Sequence, residues 1–116
     1  MAQNQLLEMF RGENRTFSLA ARDYANNPSN LTGKTVTWKI AFPPYEPDWP
    51  EAIFTKTGTV TDAANGLFTV AVVPADTFYL SEGNYTHQAY TTDTSGSVSL
   101  VTEGLFHIRP VVRTTL

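Results

Sequence analysis

Hydrophobic and polar residues alternate along much of this 116-residue chain, and a period of two residues is typical of half-buried β-strands. The clearest run covers residues 34–42, where Val36, Trp38, Ile40 and Phe42 share one face. Residues 52–61 also look extended, although the pattern does not decide whether Ile53 or Phe54 points inward. The remaining predicted strands are Gln5–Phe10 (an edge strand), Arg15–Arg22, Phe68–Val72, Tyr85–Thr92 and Ser97–Ile108.

Turn-forming residues separate these runs. Pro43–Pro50 contains four prolines in eight residues, which predicts a stiff loop because proline cannot donate to a strand ladder. Asp23–Gly33, Asp62–Gly66 and Asp93–Gly96 are predicted to be loops or turns, and Pro74–Leu80 one helical turn. Seven to eight short antiparallel strands with almost no helix predict an all-β sandwich. We expect a single domain over residues 1–116, with short extensions at 1–10 and 110–116.

The segment Leu80-Ser-Glu-Gly-Asn-Tyr85 has the pattern of an immunoglobulin-like corner, in which a tyrosine packs in the core and its hydroxyl bonds back to the corner backbone. Trp38 stands where such sandwiches place a central tryptophan. In the last strand, Val98, Leu100, Phe106 and Ile108 have one parity, and Gly104 is a plausible position for a bulge. The predicted core consists of Phe17, Leu19, Val36, Trp38, Ile40, Phe68, Val70, Val72, Leu80, Tyr85, Phe106 and Ile108.

Composition narrows the classes of function. The eight basic and eleven acidic residues give a net charge of −3 without a basic run, which argues against a nucleic-acid surface. No apolar stretch approaches the length of a membrane span, and the first residues lack a signal-peptide pattern. The chain has no cysteine, so it forms no disulfide, and this favours assembly in a reducing cytosol.

Residues with catalytic or metal-binding chemistry are few. His87 and His107 are predicted to point to opposite faces of the sheet, which prevents them from sharing an ion. Asp23, Asp62, Asp76 and Asp93 fall in loops and are expected to stabilise turns. Because no phosphate-binding loop, nucleophile elbow or carboxylate pair is recognisable, we predict no catalytic residues, no metal and no cofactor. Three glycosylation-type sequons, at Asn14, Asn30 and Asn84, are attributed to chance in a chain rich in Asn and Thr.

Several segments together resemble, in order and spacing, an immunoglobulin-like domain of tailed bacteriophages. The domain is best known as the N-terminal domain of baseplate upper proteins, and similar domains occur in other tail and head accessory proteins. The match runs from Arg11 to Pro110. The segments that carry it are Leu31-Thr-Gly-Lys-Thr-Val-Thr-Trp-Lys-Ile40, Lys56-Thr-Gly-Thr-Val-Thr-Asp62, Pro74-Ala-Asp-Thr77, Leu80–Tyr85 and Asp93-Thr-Ser-Gly96.

The resemblance implies a structural protein of the virion, made in the host bacterial cytoplasm, that acts by docking and not by catalysis. Its implied partners are other virion proteins of the capsid, neck, tail or baseplate, and it would be a homo-oligomer or a multi-copy component. Baseplate proteins of this type continue into a long second region, whereas this sequence stops at Leu116, which favours a small module such as a capsid decoration protein. No nucleic acid or membrane partner is expected.

Two groups of residues are candidates for partner binding. The first is the proline-aromatic loop, in which Pro43 and Pro44 hold Tyr45 and Trp49 on a rigid backbone suited to anchoring an interface. Trp49 could instead fold back over its own core, and in a second hypothesis Tyr45 and Trp49 stack on a surface glycan. The other group comprises the apolar termini, which either extend a neighbour's sheet or close this one: Leu6, Leu7, Phe10, Val111, Val112 and Leu116.

Overall fold

Eight strands and one helical turn make up the part of the chain that the computed structural model describes, residues 5–41 and 53–110. Within these residues no helix has the length and apolar content needed to cross a membrane. In chain order the elements are β1 (Leu7–Phe10), β2 (Arg15–Ala20), β3 (Thr35–Ala41), β4 (Phe54–Thr57), β5 (Thr59–Asp62), β6 (Leu67–Val72), α1 (Pro74–Thr77), β7 (Gly83–Thr92) and β8 (Val98–Arg109).

The strands form two sheets packed as a β-sandwich. The five-stranded sheet has the order β1-β8-β7-β3-β4, and the three-stranded sheet has the order β2-β6-β5. This distribution matches an immunoglobulin-like sandwich in which the sheet of the last two strands carries an additional strand after β3. The predicted fold class is therefore confirmed.

One strand pair departs from the predicted antiparallel arrangement. β1 pairs with β8 in parallel, with Leu7 opposite Phe106 and Phe10 opposite Arg109. Since β1 and β8 lie at opposite ends of the sequence, no hairpin fixes their relative direction, and an alternating pattern carries no information about it. β1 is an edge strand, as predicted.

The extended run at 52–61 is two strands in different sheets. β4 pairs with β3, whereas β5 pairs with β6, and Gly58 between them donates its N–H to the Val36 carbonyl at 2.8 Å. A Cβ at Gly58 would lie 3.0 Å from the Phe68 ring and 3.2 Å from Val36 Cβ. Glycine therefore lets the chain cross closely over the core from one sheet to the other.

The bulge predicted at Gly104 lies elsewhere in β8. The register against β7 shifts between Ala89, opposite Thr102, and Tyr90, opposite Leu100, so Val101 is the additional residue. Before the bulge the inward parity is reversed, so Val98 and Leu100 do not share the inward face of Phe106 and Ile108, contrary to the single parity predicted for this strand. Val101 and Thr102 are buried, while Val98 is exposed.

Aromatic rings fill the centre of the sandwich around Trp38, which is fully buried. Its ring centroid lies 5.8 Å from Phe106, 5.9 Å from Phe54 and 6.3 Å from Phe17. Phe54 and Ile53 are both partly buried against the core, so the choice between them does not arise. Of the predicted core residues, Leu80 is partly buried and the others are buried; the core also includes Leu7, Met9, Ala21, Leu31, Ala89 and Val101.

The register defines the two ends of the sandwich. β1, β3 and β8 run toward the end where β7 begins, because Ala41 pairs with Thr86, and Ile108 pairs with both Gly83 and Met9. We call this the corner end, since it carries the segment Leu80–Gly83. The opposite end carries the loop 21–34 and the turn at Asp93–Ser97, and we call it the turn end.

Candidate functional site

The corner is built as the sequence predicts. Tyr85 is buried, and its hydroxyl donates to the Ser81 carbonyl at 2.6 Å. Gly83 has a φ of 137°, a value that L side chains rarely adopt, and this lets the chain turn into β7. Burial raises the pKa of the Tyr85 hydroxyl above 10.0. The corner is therefore a rigid support for the residues around it.

A groove of about 450 Å³ opens beside this corner and is lined by Arg11, Leu80, Ser81, Glu82 and Pro110. Two exposed aromatic side chains belong to the same segments as its lining: Phe10 precedes Arg11, and Tyr79, with 81% exposure, precedes Leu80. We call the groove together with Phe10 and Tyr79 the corner-end surface. It combines two exposed aromatic rings with one guanidinium and one carboxylate.

Short contacts hold the two segments of the corner-end surface in place. The Gly12 N–H donates to the Thr77 hydroxyl at 2.9 Å in a buried hydrogen bond, and the Arg11 guanidinium lies 5.4 Å from the centre of the Phe78 ring. Phe78 is buried and meets the Tyr79 ring edge-to-face, with centroids 5.0 Å apart. On the outer side, the Arg109 guanidinium lies 5.4 Å from the Phe10 ring centre. Each exposed ring thus has a contact within the chain, Tyr79 with the Phe78 ring and Phe10 with the Arg109 guanidinium.

The predicted binding residues of the N-terminal segment divide between surface and core. Leu6 is 64% exposed and Phe10 is also exposed, so both are accessible to a partner. Leu7 is only 9% exposed and packs in the core, which corrects its assignment as a binding residue. The reason is β-strand alternation: in β1, Leu7 and Met9 face inward, and Glu8 and Phe10 face outward.

The other predicted binding residues lie outside the described part of the chain: Pro43, Pro44, Tyr45, Trp49, Val111, Val112 and Leu116. The described residues that flank them are informative. Ala41 is the last residue of β3, Ile53 donates its N–H to the Ile40 carbonyl at 2.7 Å, and Pro110 lines the groove. The described residues that flank the two segments, Ala41, Ile53 and Pro110, therefore lie at the corner end.

His87 is the most deeply buried titratable group among the described residues, with no exposed surface. The Trp38 indole N–H can only donate, and it donates to His87 Nδ1 at 3.1 Å. The ring proton is therefore on Nε2, which donates to the Gln5 carbonyl at 2.6 Å. Burial lowers the pKa of His87 below 6.5, against the opposing effects of the Gln5 carbonyl and the Glu103 charge. Both ring nitrogens are occupied, so His87 ties the N-terminal segment to the central tryptophan.

The structure gives local roles to the other candidate ligands. His107 points to the outer face and bonds the Asn84 side chain, with its Nδ1 2.7 Å from Asn84 Oδ1, so the two histidines face opposite ways as predicted. Within residues 5–41 and 53–110, no group of three or more His, Asp or Glu side chains is placed to hold a metal. The four loop aspartates accept hydrogen bonds from backbone N–H groups of their own turns: Asp23 from Ala25 and Asn27, Asp62 from Asn65, Asp76 from Val73, and Asp93 from Ser95 and Ser97.

Tyr79 and Arg11 were not among the predicted site residues. Each stands beside a predicted turn, Tyr79 at the end of the helical turn and Arg11 after the edge strand. Their proximity depends on the Gly12–Thr77 hydrogen bond, which joins residues 65 positions apart. The signal that could have identified Tyr79 is the pair Phe78-Tyr79, because one short helical turn cannot bury two adjacent rings.

Comparison with known proteins gives no family for this chain. No family model matches the sequence, and no curated protein sequence matches it. Among solved structures, CopC from Methylosinus trichosporium OB3b is 9% identical over 99% of this chain and 91% of its own, with a TM-score of 0.48. The GspB Siglec domain is 22% identical over 91% of this chain and 54% of its own (TM-score 0.44), and murine CRIg is 10% identical over 92% of each chain (TM-score 0.42). At these identities and scores, no function is transferred from any of the three to this chain.

Proposed function

We propose that this protein is a structural subunit of a tailed-bacteriophage particle, which docks on other virion proteins through its corner-end surface. The resemblance of its turn segments to phage immunoglobulin-like domains supports the setting. The observation that carries the docking role is the exposure of Tyr79 and Phe10, each of which is next in the chain to a residue that lines a groove of about 450 Å³. Exposed rings around a concavity are the usual anchors of protein interfaces.

Preorganisation favours docking at this surface over a merely incidental exposure of rings. Tyr79 packs on the buried Phe78 ring, and the Arg11 guanidinium lies over the same Phe78 ring. Binding would therefore cost little side-chain entropy, since the anchors are already oriented. Arg11 and Glu82 on the groove provide one charge of each sign for partner groups at the rim.

The predicted loop and C-terminal residues add to this proposal. We include Tyr45, Trp49 and Val111 among the proposed partner contacts, because the described residues that flank their segments, Ala41, Ile53 and Pro110, lie at the corner end. The proposed action is docking without catalysis or a cofactor, on a particle that contains several copies of the subunit.

Add-back to particles assembled without this subunit tests the proposal. We expect the wild-type chain to cosediment with such particles, and Tyr79→Ala to reduce the affinity about tenfold or more, the effect typical of an interface anchor. Tyr24→Ala is the matched control, because Tyr24 is a tyrosine with 94% exposure at the turn end. Wild-type protein that does not cosediment with these particles would contradict the proposal. Equal losses of particle affinity for Tyr79→Ala and Tyr24→Ala would show that docking does not depend on the corner-end surface.

A further inference from the structure

The outer face of the five-stranded sheet has a pattern that the docking proposal does not use. β7 is the central strand, with β8 and β1 on one side and β3 and β4 on the other. Three cross-strand rows define the face, each read from β3 through β7 to β8: Lys39-Gln88-Glu103, Ala41-Thr86-Leu105 and Thr37-Tyr90-Leu100. We call these nine residues the outer face.

We propose that the outer face binds the same face of a second copy of this chain. The two-fold axis of this dimer lies in the interface, above β7 and parallel to it. The inference goes beyond the docking function and concerns a different surface. Because β7 is central, rotation about an axis along it lays all five strands of one copy over all five of the other. β3 then lies over the partner copy's β8, and β1 lies over its β4.

Charge complementarity selects this geometry. Lys39 and Glu103 lie in one row on opposite sides of β7, so the rotation places each over the other residue of the second copy. An axis running across the strands would instead place lysine over lysine and glutamate over glutamate. Opposite charges thus meet in the first arrangement, whereas like charges meet in the second.

Shape and apolar contact agree with the same axis. Leu105, at 47% exposure, would lie over Ala41 of the second copy, the smallest side chain on the outer face. A large apolar group therefore meets the space above a small one, on both sides of the axis. Leu6 precedes Leu7, which pairs with Phe106, so the register sets Leu6 beside Leu105 and widens this apolar area. Near the axis, the neutral Gln88, Thr86 and Tyr90 meet their own copies.

The available area suits a reversible dimer. The three central strands overlap over about seven residues, and the edge strands β1 and β4 have four residues each. With strands about 4.8 Å apart and about 3.3 Å per residue, the face covers roughly 460 Å². Two such faces bury on the order of 900 Å², an area typical of weak, transient interfaces. The dimer should accordingly form and dissociate with protein concentration.

Sedimentation equilibrium of the purified chain over a concentration series measures this dimer directly. We expect a monomer-dimer equilibrium for the wild type, and Leu105→Asp should leave only monomer. Leu67→Asp is the matched control, because Leu67 is 41% exposed on the outward side of the three-stranded sheet. Wild-type protein that stays monomeric at several hundred micromolar would overturn the proposal. Equal loss of the dimer in both variants would also overturn it.

Charge exchange tests the position of the axis. We expect Lys39→Glu and Glu103→Lys each to weaken the dimer about tenfold or more at low salt, since each creates like-charge contacts. The double variant should recover the wild-type constant, because it exchanges the signs across the interface. Arg15→Glu makes the same charge change on the three-stranded sheet and should have no effect. A double variant no stronger than the single ones would overturn this axis. These measurements need no particle, so they can fail or succeed independently of the docking proposal.

Discussion

At the scale of single residues, the Tyr85 hydroxyl is predicted to stabilise the folded protein. Replacement with Phe removes the 2.6 Å hydrogen bond and leaves the Ser81 carbonyl without that donor. We expect the unfolding free energy to fall by about 1 kcal/mol, measured by urea denaturation at pH 7. Particle binding of the folded fraction should be unchanged. Lost binding at unchanged stability would show that Tyr85 belongs to the docking surface and not to its support.

His87 makes the stability of the protein depend on pH. Its pKa in the folded state lies below the ordinary value of 6.5, mainly because the ring is buried. The unfolded chain therefore binds more protons at this site once the pH drops below about 6.5, and the stability lost grows until the folded pKa is reached. Above pH 6.5 the site has no pH-dependent effect. A proton on Nδ1 would also face the Trp38 N–H, which needs an acceptor there.

Two measurements check the His87 prediction. Urea unfolding should give a lower free energy at pH 5 than at pH 7, and His87→Gln should reduce that difference. Nitrogen NMR of the folded protein should show the proton on Nε2 and a titration midpoint below 6.5. A midpoint at or above 6.5 would contradict the account. Most carboxylates titrate below pH 5, so they interfere little in this window.

The residue-scale features that the sequence predicted are those with local causes. Tyr85 and its corner follow from six consecutive residues, and the burial of His87 follows from its parity with Tyr85. The partner of His87 could not be predicted. Its Nε2 meets the carbonyl of a residue 82 positions away, and that contact exists only because the N-terminal segment lies along β8.

At the scale of elements, the register of β1 predicts different stability effects for substitutions at the adjacent residues Leu6 and Leu7. Leu7 packs in the core, whereas Leu6 is 64% exposed. We expect Leu7→Ala to lower the unfolding free energy by about 2 kcal/mol, the lower part of the range for buried leucines, since β1 is at the edge. Leu6→Ala should change it by less than about 0.5 kcal/mol. Equal effects in chemical denaturation would show that β1 does not hold this register.

Strand pattern predicted most elements but could not predict where strands change register or sheet. The glycine in β8 predicts a bulge at Gly104, whereas the bulge is at Val101, whose side chain gives no turn signal. A Cβ on Gly104 would lie 2.7 Å from the Gln5 amide nitrogen, so this glycine is needed for the close approach of the N-terminal segment. Gly58 likewise marks a crossing between sheets and not a break in one strand.

At the scale of the whole molecule, the two proposed surfaces reinforce each other. Rotation about an axis along β7 preserves the strand direction, so both corner ends of the dimer would point the same way. A dimer would then present two docking surfaces to one particle, and the second contact would form at high effective concentration. We expect Leu105→Asp to cosediment with particles about ten- to a hundredfold more weakly than the wild type, although its corner end is intact. Equal binding would show that docking uses single copies.

The sequence predicted only part of the binding site, because the rest depends on how distant segments meet in the whole molecule. Exposed aromatic residues occur at both ends of the sandwich, at Tyr79 and at Tyr24, and their local sequences do not distinguish them. What separates them is the convergence of Phe10, Arg11 and Pro110 on the corner end, which depends on the parallel pairing of β1 with β8.

A cryo-EM reconstruction of the assembled phage particle tests the central proposal most directly. The account predicts density for this sandwich on the particle, with Tyr79, Phe10 and the groove at the corner end seated against another virion subunit. The dimer proposal further predicts that the copies stand in pairs, joined through their five-stranded sheets. Particles without this density, or a sandwich attached through the turn end around Tyr24, would contradict the account.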